Sequence, residues 1–101
     1  MNTEAYTVAV EKGLEDLIPE FLKNRHREVA TLQAAVAAAD FEQLRQAGHR
    51  MRGVGTPYGF DRISELGKQI EDSAKAGNGA EVETALAQYA DYLSRLKIVY
   101  A

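Results

Sequence analysis

The chain has no cysteine. That excludes disulfides, thiolate metal sites and a cysteine nucleophile. Positive charge is in deficit, with 12 Lys and Arg against 15 Asp and Glu and a net charge of −3. Such a balance argues against a general nucleic-acid binder, because duplex affinity rests on many phosphate contacts. No apolar run approaches the roughly 18 residues that span a membrane. The opening Met1-Asn2-Thr3-Glu4-Ala5-Tyr6 lacks the basic start and apolar stretch of a signal peptide. The expectation is a cytoplasmic, monomeric protein without nucleic-acid or membrane partners. No internal repeat, low-complexity tract or strand-like alternation stands out.

What is present is enough for one folded domain, expected over residues 1–101. Apolar residues make up 46% of the 101 positions, a globular composition. Four helical patterns follow one another. Leu14, Leu17, Ile18, Phe21, Leu22, Val29, Leu32 and Val36 recur at three- and four-residue spacing, and this first pattern ends near Ala39. Pro19 lies inside it and disfavours helix at Ile18, so a short lead-in followed by a kink or restart is expected there. Residues 1–12 read as a short helix or an irregular arm. Asp40 is an N-cap for the second helix, with Gln43 completing a variant capping box. This helix is expected from Phe41 to Tyr58, with Pro57 disturbing its last turn and Gly59 in the left-handed terminal position. Asp61 is expected to cap the third helix, which buries Ile63, Leu66, Gly67, Ile70 and Ala74. Gly77-Asn78-Gly79 marks a turn. The fourth pattern carries Val82, Leu86, Tyr89, Leu93 and Leu96. Short connections force neighbouring helices antiparallel, so the expected fold is all-α, an up-down antiparallel four-helix bundle.

The segment His49-Arg50-Met51-Arg52-Gly53-Val54-Gly55-Thr56-Pro57-Tyr58-Gly59-Phe60 departs from ordinary helix composition. Glycine inside a helix costs roughly 1 kcal/mol relative to alanine. Bare positions beside a histidine suggest that another molecule must reach the ring. At about 100° per residue, Leu44, Ala47, Gly48, Met51, Gly55 and Tyr58 share one side of the second helix, the core stripe. His49 falls opposite, with Arg45, Arg52, Gly53 and Thr56 on its side. Imidazole is nucleophilic near neutral pH. A ring nitrogen can accept a phosphoryl group and pass it on, dividing one transfer into two. Arg52, one turn along, and Arg45, one turn before, can offset the charge spread over the phosphoryl oxygens. Gly53 leaves space for a partner to approach. Gly48, Gly55 and Gly67 lie on core faces and permit close helix packing.

His49, Met51, Arg52, Gly53, Gly59 and Phe60 give this segment its resemblance to the histidine-containing phosphotransfer (HPt) domain family. The resemblance implies that His49 is the phosphoacceptor and Arg52 the residue beside the phosphoryl group, with lysine more usual at that place. It implies that Gly53 is the open approach, with Thr56 beside it, and that Gly55, Gly59 and Phe60 belong to the structural part of the motif. The partners it implies are receiver domains of response regulators or hybrid histidine kinases, whose aspartates exchange phosphoryl groups with the histidine. Any Mg²⁺ would belong to the receiver, and no cofactor is expected on this chain. The sequence has no Gly-rich nucleotide box of the histidine-kinase type and no receiver-like alternation of strand and helix. A phosphoryl carrier, not an enzyme, is therefore expected.

Other readings exist for the same residues. A lone exposed histidine on a helix is ordinarily a surface residue, and His26, within Asn24-Arg25-His26-Arg27-Glu28, has that character. A metal site needs three or more ligands, and no histidine or acidic residue stands four positions after His49. A four-helix module that docks receivers or kinases without passing phosphate is the alternative function. It requires neither His49 nor its charged neighbour.

Overall fold

The structure, a computed structural model, describes residues 5–101. Four α-helices make up most of it: α1 (Ile18–Ala37), α2 (Phe41–Val54), α3 (Asp61–Lys75) and α4 (Gly79–Ser94). The restart expected at Pro19 is present. A 3-10 segment, Lys12–Leu17, leads into α1, and Pro19 sits in the first turn, where its missing N–H leaves no bond unmade. Leu17, expected in the apolar stripe, is instead 52% exposed, because the 3-10 lead-in does not share the angular period of α1.

Asp40 caps α2 through Oδ1, which accepts from the Gln43 N–H at 3.1 Å. The Asp40 N–H itself donates to the Ala35 carbonyl, so it is satisfied without the Gln43 side chain. The second helix ends at Val54, earlier than expected, and Thr56-Pro57-Tyr58 forms a separate 3-10 turn. Gly59 then takes φ +91°, the left-handed backbone that its position demanded. Asp61 is the first residue of α3 and not its cap; Phe60 holds the cap position and makes no side-chain capping bond. An acidic residue in the first turn still favours the helix through its dipole. At the α3–α4 turn Gly77 has φ +66°, and Asn78 Oδ1 accepts from the Glu81 N–H.

Two strands correct the sequence reading. Tyr6–Val10 forms β1 and Leu96–Tyr100 forms β2, a parallel pair in the register Tyr6↔Leu96 to Val10↔Tyr100. Residues 6–10 are thus neither helix nor irregular arm; residues 1–4 lie outside the described residues. Leu96, expected in the fourth helix, belongs to β2. Both segments alternate: Val8 and Val10 turn inward while Thr7 and Ala9 are exposed, and Leu96, Ile98 and Tyr100 are more covered than Lys97 and Val99.

The core joins all four helices and β1. Leu44, Met51, Phe60, Ile63, Leu66, Ile70, Val82 and Tyr89 have no exposure, and Val10 has 1%. Phe21 of α1 packs against Tyr58 at 4.5 Å and Phe60 at 5.3 Å between ring centroids, which fixes the end of the His49 segment against the first helix. Tyr89 Oη donates to Glu28 Oε1 at 2.7 Å, tying α4 to α1. The closest helix approach is α2 on α3. A Cβ on Gly67 would stand 2.5 Å from Met51 Cβ and 2.8 Å from the Gly48 carbonyl oxygen; one on Gly48 would stand 2.5 Å from the Glu71 nitrogen. The two backbones meet because both residues lack a side chain.

Candidate functional site

That close crossing brings α3 within reach of the exposed face of α2. His49 lies mid-helix with its side chain 69% exposed, as its helical facing required. Its Nδ1 is 3.0 Å from Glu71 Oε2. Arg52 Nη1 donates to the other oxygen, Glu71 Oε1, at 2.6 Å. Lys75 Nζ stands 3.7 Å from Oε2. The Glu71 side chain is only 3% exposed, so a buried carboxylate underlies three solvent-facing groups.

The electrostatics follow from this arrangement. The Arg52 guanidinium is the main cause holding the Glu71 carboxyl below the usual carboxylate range. Burial opposes it, and the His49 bond and the Lys75 charge add to it. Glu71 in turn holds the Arg52 guanidinium more firmly protonated. An ionised carboxylate can only accept hydrogen bonds. The proton between His49 and Glu71 therefore resides on Nδ1, and Nε2 is the ring nitrogen left without this partner. This is the second-partner device by which histidine tautomers are commonly fixed.

Gly53 has no atom within 4 Å of the place a Cβ would occupy, so this position on α2 faces open space. Gly55 is packed tightly: a Cβ there would collide with the Phe60 carbonyl oxygen and stand 2.9 Å from Ile63 Cβ. Arg45 is not brought into the cluster. Its Nε and Nη2 donate to Glu42 at 3.0 and 2.6 Å, and this pair, with Gln46, takes the exposed Glu42 carboxyl down to about 2. Thr56 lies beyond the end of α2, so the angular argument that set it beside His49 stops short of it. Its N–H and hydroxyl both engage Ser64 Oγ. Gly59 combines its left-handed backbone with a Cβ direction that points 3.2 Å from the Ala9 carbonyl oxygen, so β1 rests on this turn. Phe60 is fully buried.

Glu71 and Lys75 were absent from the sequence reading. A signal for Glu71 exists: it follows Gly67 by four residues and precedes Ala74 by three, on the stripe that α3 otherwise fills with small and apolar side chains. Among the described residues no group of three or more His, Asp or Glu is placed to hold a metal ion, and no helix is long and apolar enough to cross a membrane.

Comparison with known families bears on the chain as a whole. The family model of the Hpt domain matches residues 16–98, which include every helix, His49, Arg52 and Glu71. No curated protein and no solved structure matches the chain. With most of its length matched, the chain belongs to the Hpt domain family, the phosphohistidine carriers of two-component phosphorelay signalling.

Proposed function

We propose that His49 is the phosphoacceptor of a carrier that exchanges phosphoryl groups with aspartates of receiver domains. The observation that carries this reading is the bond from Nδ1 to buried Glu71, which leaves Nε2 as the exposed nucleophile. On loading, the Nε2 lone pair attacks the phosphorus of a receiver's aspartyl phosphate. The P–O bond to the aspartate breaks and its electron pair leaves with the carboxylate. The ring becomes cationic while keeping its Nδ1 proton, and Glu71 accepts from that proton and offsets the charge. On unloading, a receiver carboxylate oxygen attacks phosphorus and the P–N electron pair returns to Nε2. Neither direction requires this chain to move a proton.

Arg52 is the donor within reach of the same face, and its charge offsets that of the transferring oxygens. Gly53 admits the receiver's acidic site. Arg45 and Thr56 border the approach in this reading, with their hydrogen bonds directed to Glu42 and Ser64. Mg²⁺ is supplied by the receiver, and the carrier relies on partners for catalysis. The three-residue connections 38–40 and 76–78 favour an up-down antiparallel course of the helices. The reading also takes residues 1–101 as one domain, working as a cytoplasmic monomer.

The test is label transfer from a phosphorylated receiver. Wild type and His26→Gln take up label, and His49→Gln does not. Equal labelling of wild type and His49→Gln overturns the assignment.

A further inference from the structure

The cluster holds one more cation than the uncharged site needs. Arg52 already occupies Glu71 Oε1 at 2.6 Å, and His49 occupies Oε2 at 3.0 Å. Lys75 Nζ, at 3.7 Å from Oε2, is within ion-pair range but outside hydrogen-bond distance. Its neighbour on α3, Lys68, pairs with Asp72 instead, at 3.4 Å. Among the described residues, Arg52 and Lys75 are the lysine and arginine side chains within ion-pair distance of Glu71, beside the His49 ring.

Phosphorylation changes the demands on this set. A phosphoryl group on Nε2 adds close to two negative charges beside Arg52, outside the protein surface, where its oxygens compete with Glu71 for the guanidinium. Arg52 is 44% exposed at its side chain and so has free room to turn outward. Glu71 cannot follow, because it is buried between α2 and α3. A buried carboxylate that loses its cation is costly to leave unpaired. Resting on the assignment of His49 above, we infer that Lys75 is a positioning residue for the charged state: it closes on Glu71 as Arg52 turns to the phosphoryl group. Lys75 thereby frees Arg52 for the transferring oxygens while the carboxylate keeps its hold on the imidazole Nδ1. An ordinary helix-surface pair, the plain alternative for residues four apart, has no such dependence on phosphorylation.

The experiment charges the full chain with phosphoramidate, a small-molecule phosphoryl donor, in a His26→Gln background. Phosphohistidine formation is followed by ³¹P NMR. Lys75→Gln slows charging severalfold, and Lys75→Arg restores it. The same Lys75→Gln change made on Arg52→Gln slows charging no further, because Lys75 acts through Arg52. The ¹⁵N resonance of the Arg52 guanidinium moves on charging in the parent protein and stays in place in Lys75→Gln. Unfolding midpoints of the uncharged variants verify that each is folded. Charging of Lys75→Gln at the parent rate overturns the inference, and so does a slowing that persists undiminished without Arg52. Both results leave the assignment of His49 standing. A parent protein that forms no phosphohistidine at His49 removes that assignment and the inference with it.

Discussion

At residue 71 a single carboxylate sets the tautomer of His49, holds Arg52 and faces Lys75. Because pairing lowers its folded-state pKa below the ordinary value of 4.5, its stabilising effect has a definite sign. The contribution is complete above pH 4.5 and is lost as the pH falls through the lower folded-state value. Glu71→Gln should therefore melt below wild type at neutral pH, and the two melting curves should converge on acidification; a gap that stays constant with pH contradicts the ion-pair account. Arg52→Ala should reduce both receiver transfer and melting temperature, because it removes the chief partner of a buried charge. Adding Glu71→Gln to Arg52→Ala should recover part of the melting temperature and none of the transfer, since a neutral side chain needs no cation. Thermal melts and label transfer on the three variants check this. His49 and Arg52 were legible in the sequence because facing on one helix follows from spacing alone. Glu71 was not, because a glutamate between Ile70 and Asp72 reads as solvated until the distance between two helices is known. Only its coincidence with the Gly67 stripe hinted otherwise.

Among the elements, α2 and α3 hold the site through their glycine crossing. Gly67→Ala sets a Cβ 2.5 Å from Met51 Cβ and 2.8 Å from the Arg52 nitrogen. Backbone cannot give way as a flexible side chain can, so the helices must separate. The cost should be about 1–3 kcal/mol by overpacking, exceeding the roughly 1 kcal/mol that alanine gains in helix propensity. Glu71, one turn further along α3, should withdraw from His49, which ¹⁵N NMR of the imidazole reads as a loss of the single tautomer. Gly53→Leu is the contrast. Nothing lies within 4 Å of its Cβ position, so chemical melts should find it as stable as wild type, or more so by up to about 1 kcal/mol. On the proposed function, receiver transfer should nonetheless fall, because the new side chain would stand where a partner is expected to close on His49. Unchanged transfer would mean that Gly53 does not serve access. The four helices and the facing of α2 were legible because a 3.6-residue period repeats over several turns. Helix ends were less so: α2 yields to a 3-10 turn at Thr56, where Pro57 follows, and Asp61 enters α3 instead of capping it.

Across the whole molecule, the parallel pair β1–β2 joins segments from opposite ends of the described chain. Each strand has five residues, too few for alternation to outweigh a competing helical reading, and Leu96 continues the spacing of Leu93. Pairing between such distant segments is decided by tertiary packing and not by local pattern, which is why the strands escaped the sequence reading. A two-stranded sheet is marginal by itself, so this one depends on what lies beneath it. Val10 is 1% exposed within the core, and the Ala9 carbonyl closes over Gly59. Val10→Ala should cost about 1–3 kcal/mol, from lost burial and the cavity left behind. The site, however, is built on α2 and α3, whose backbone contact does not pass through β1. Below the melting transition, phosphoryl transfer by Val10→Ala should therefore match wild type. Native-state hydrogen exchange should show the amides at positions 8 and 10 of the variant opening well before those of Met51 and Leu66. A variant whose α2 and α3 amides lose protection together with the strands, and whose transfer falls at low temperature, would show that the terminal pair supports the His49 site directly.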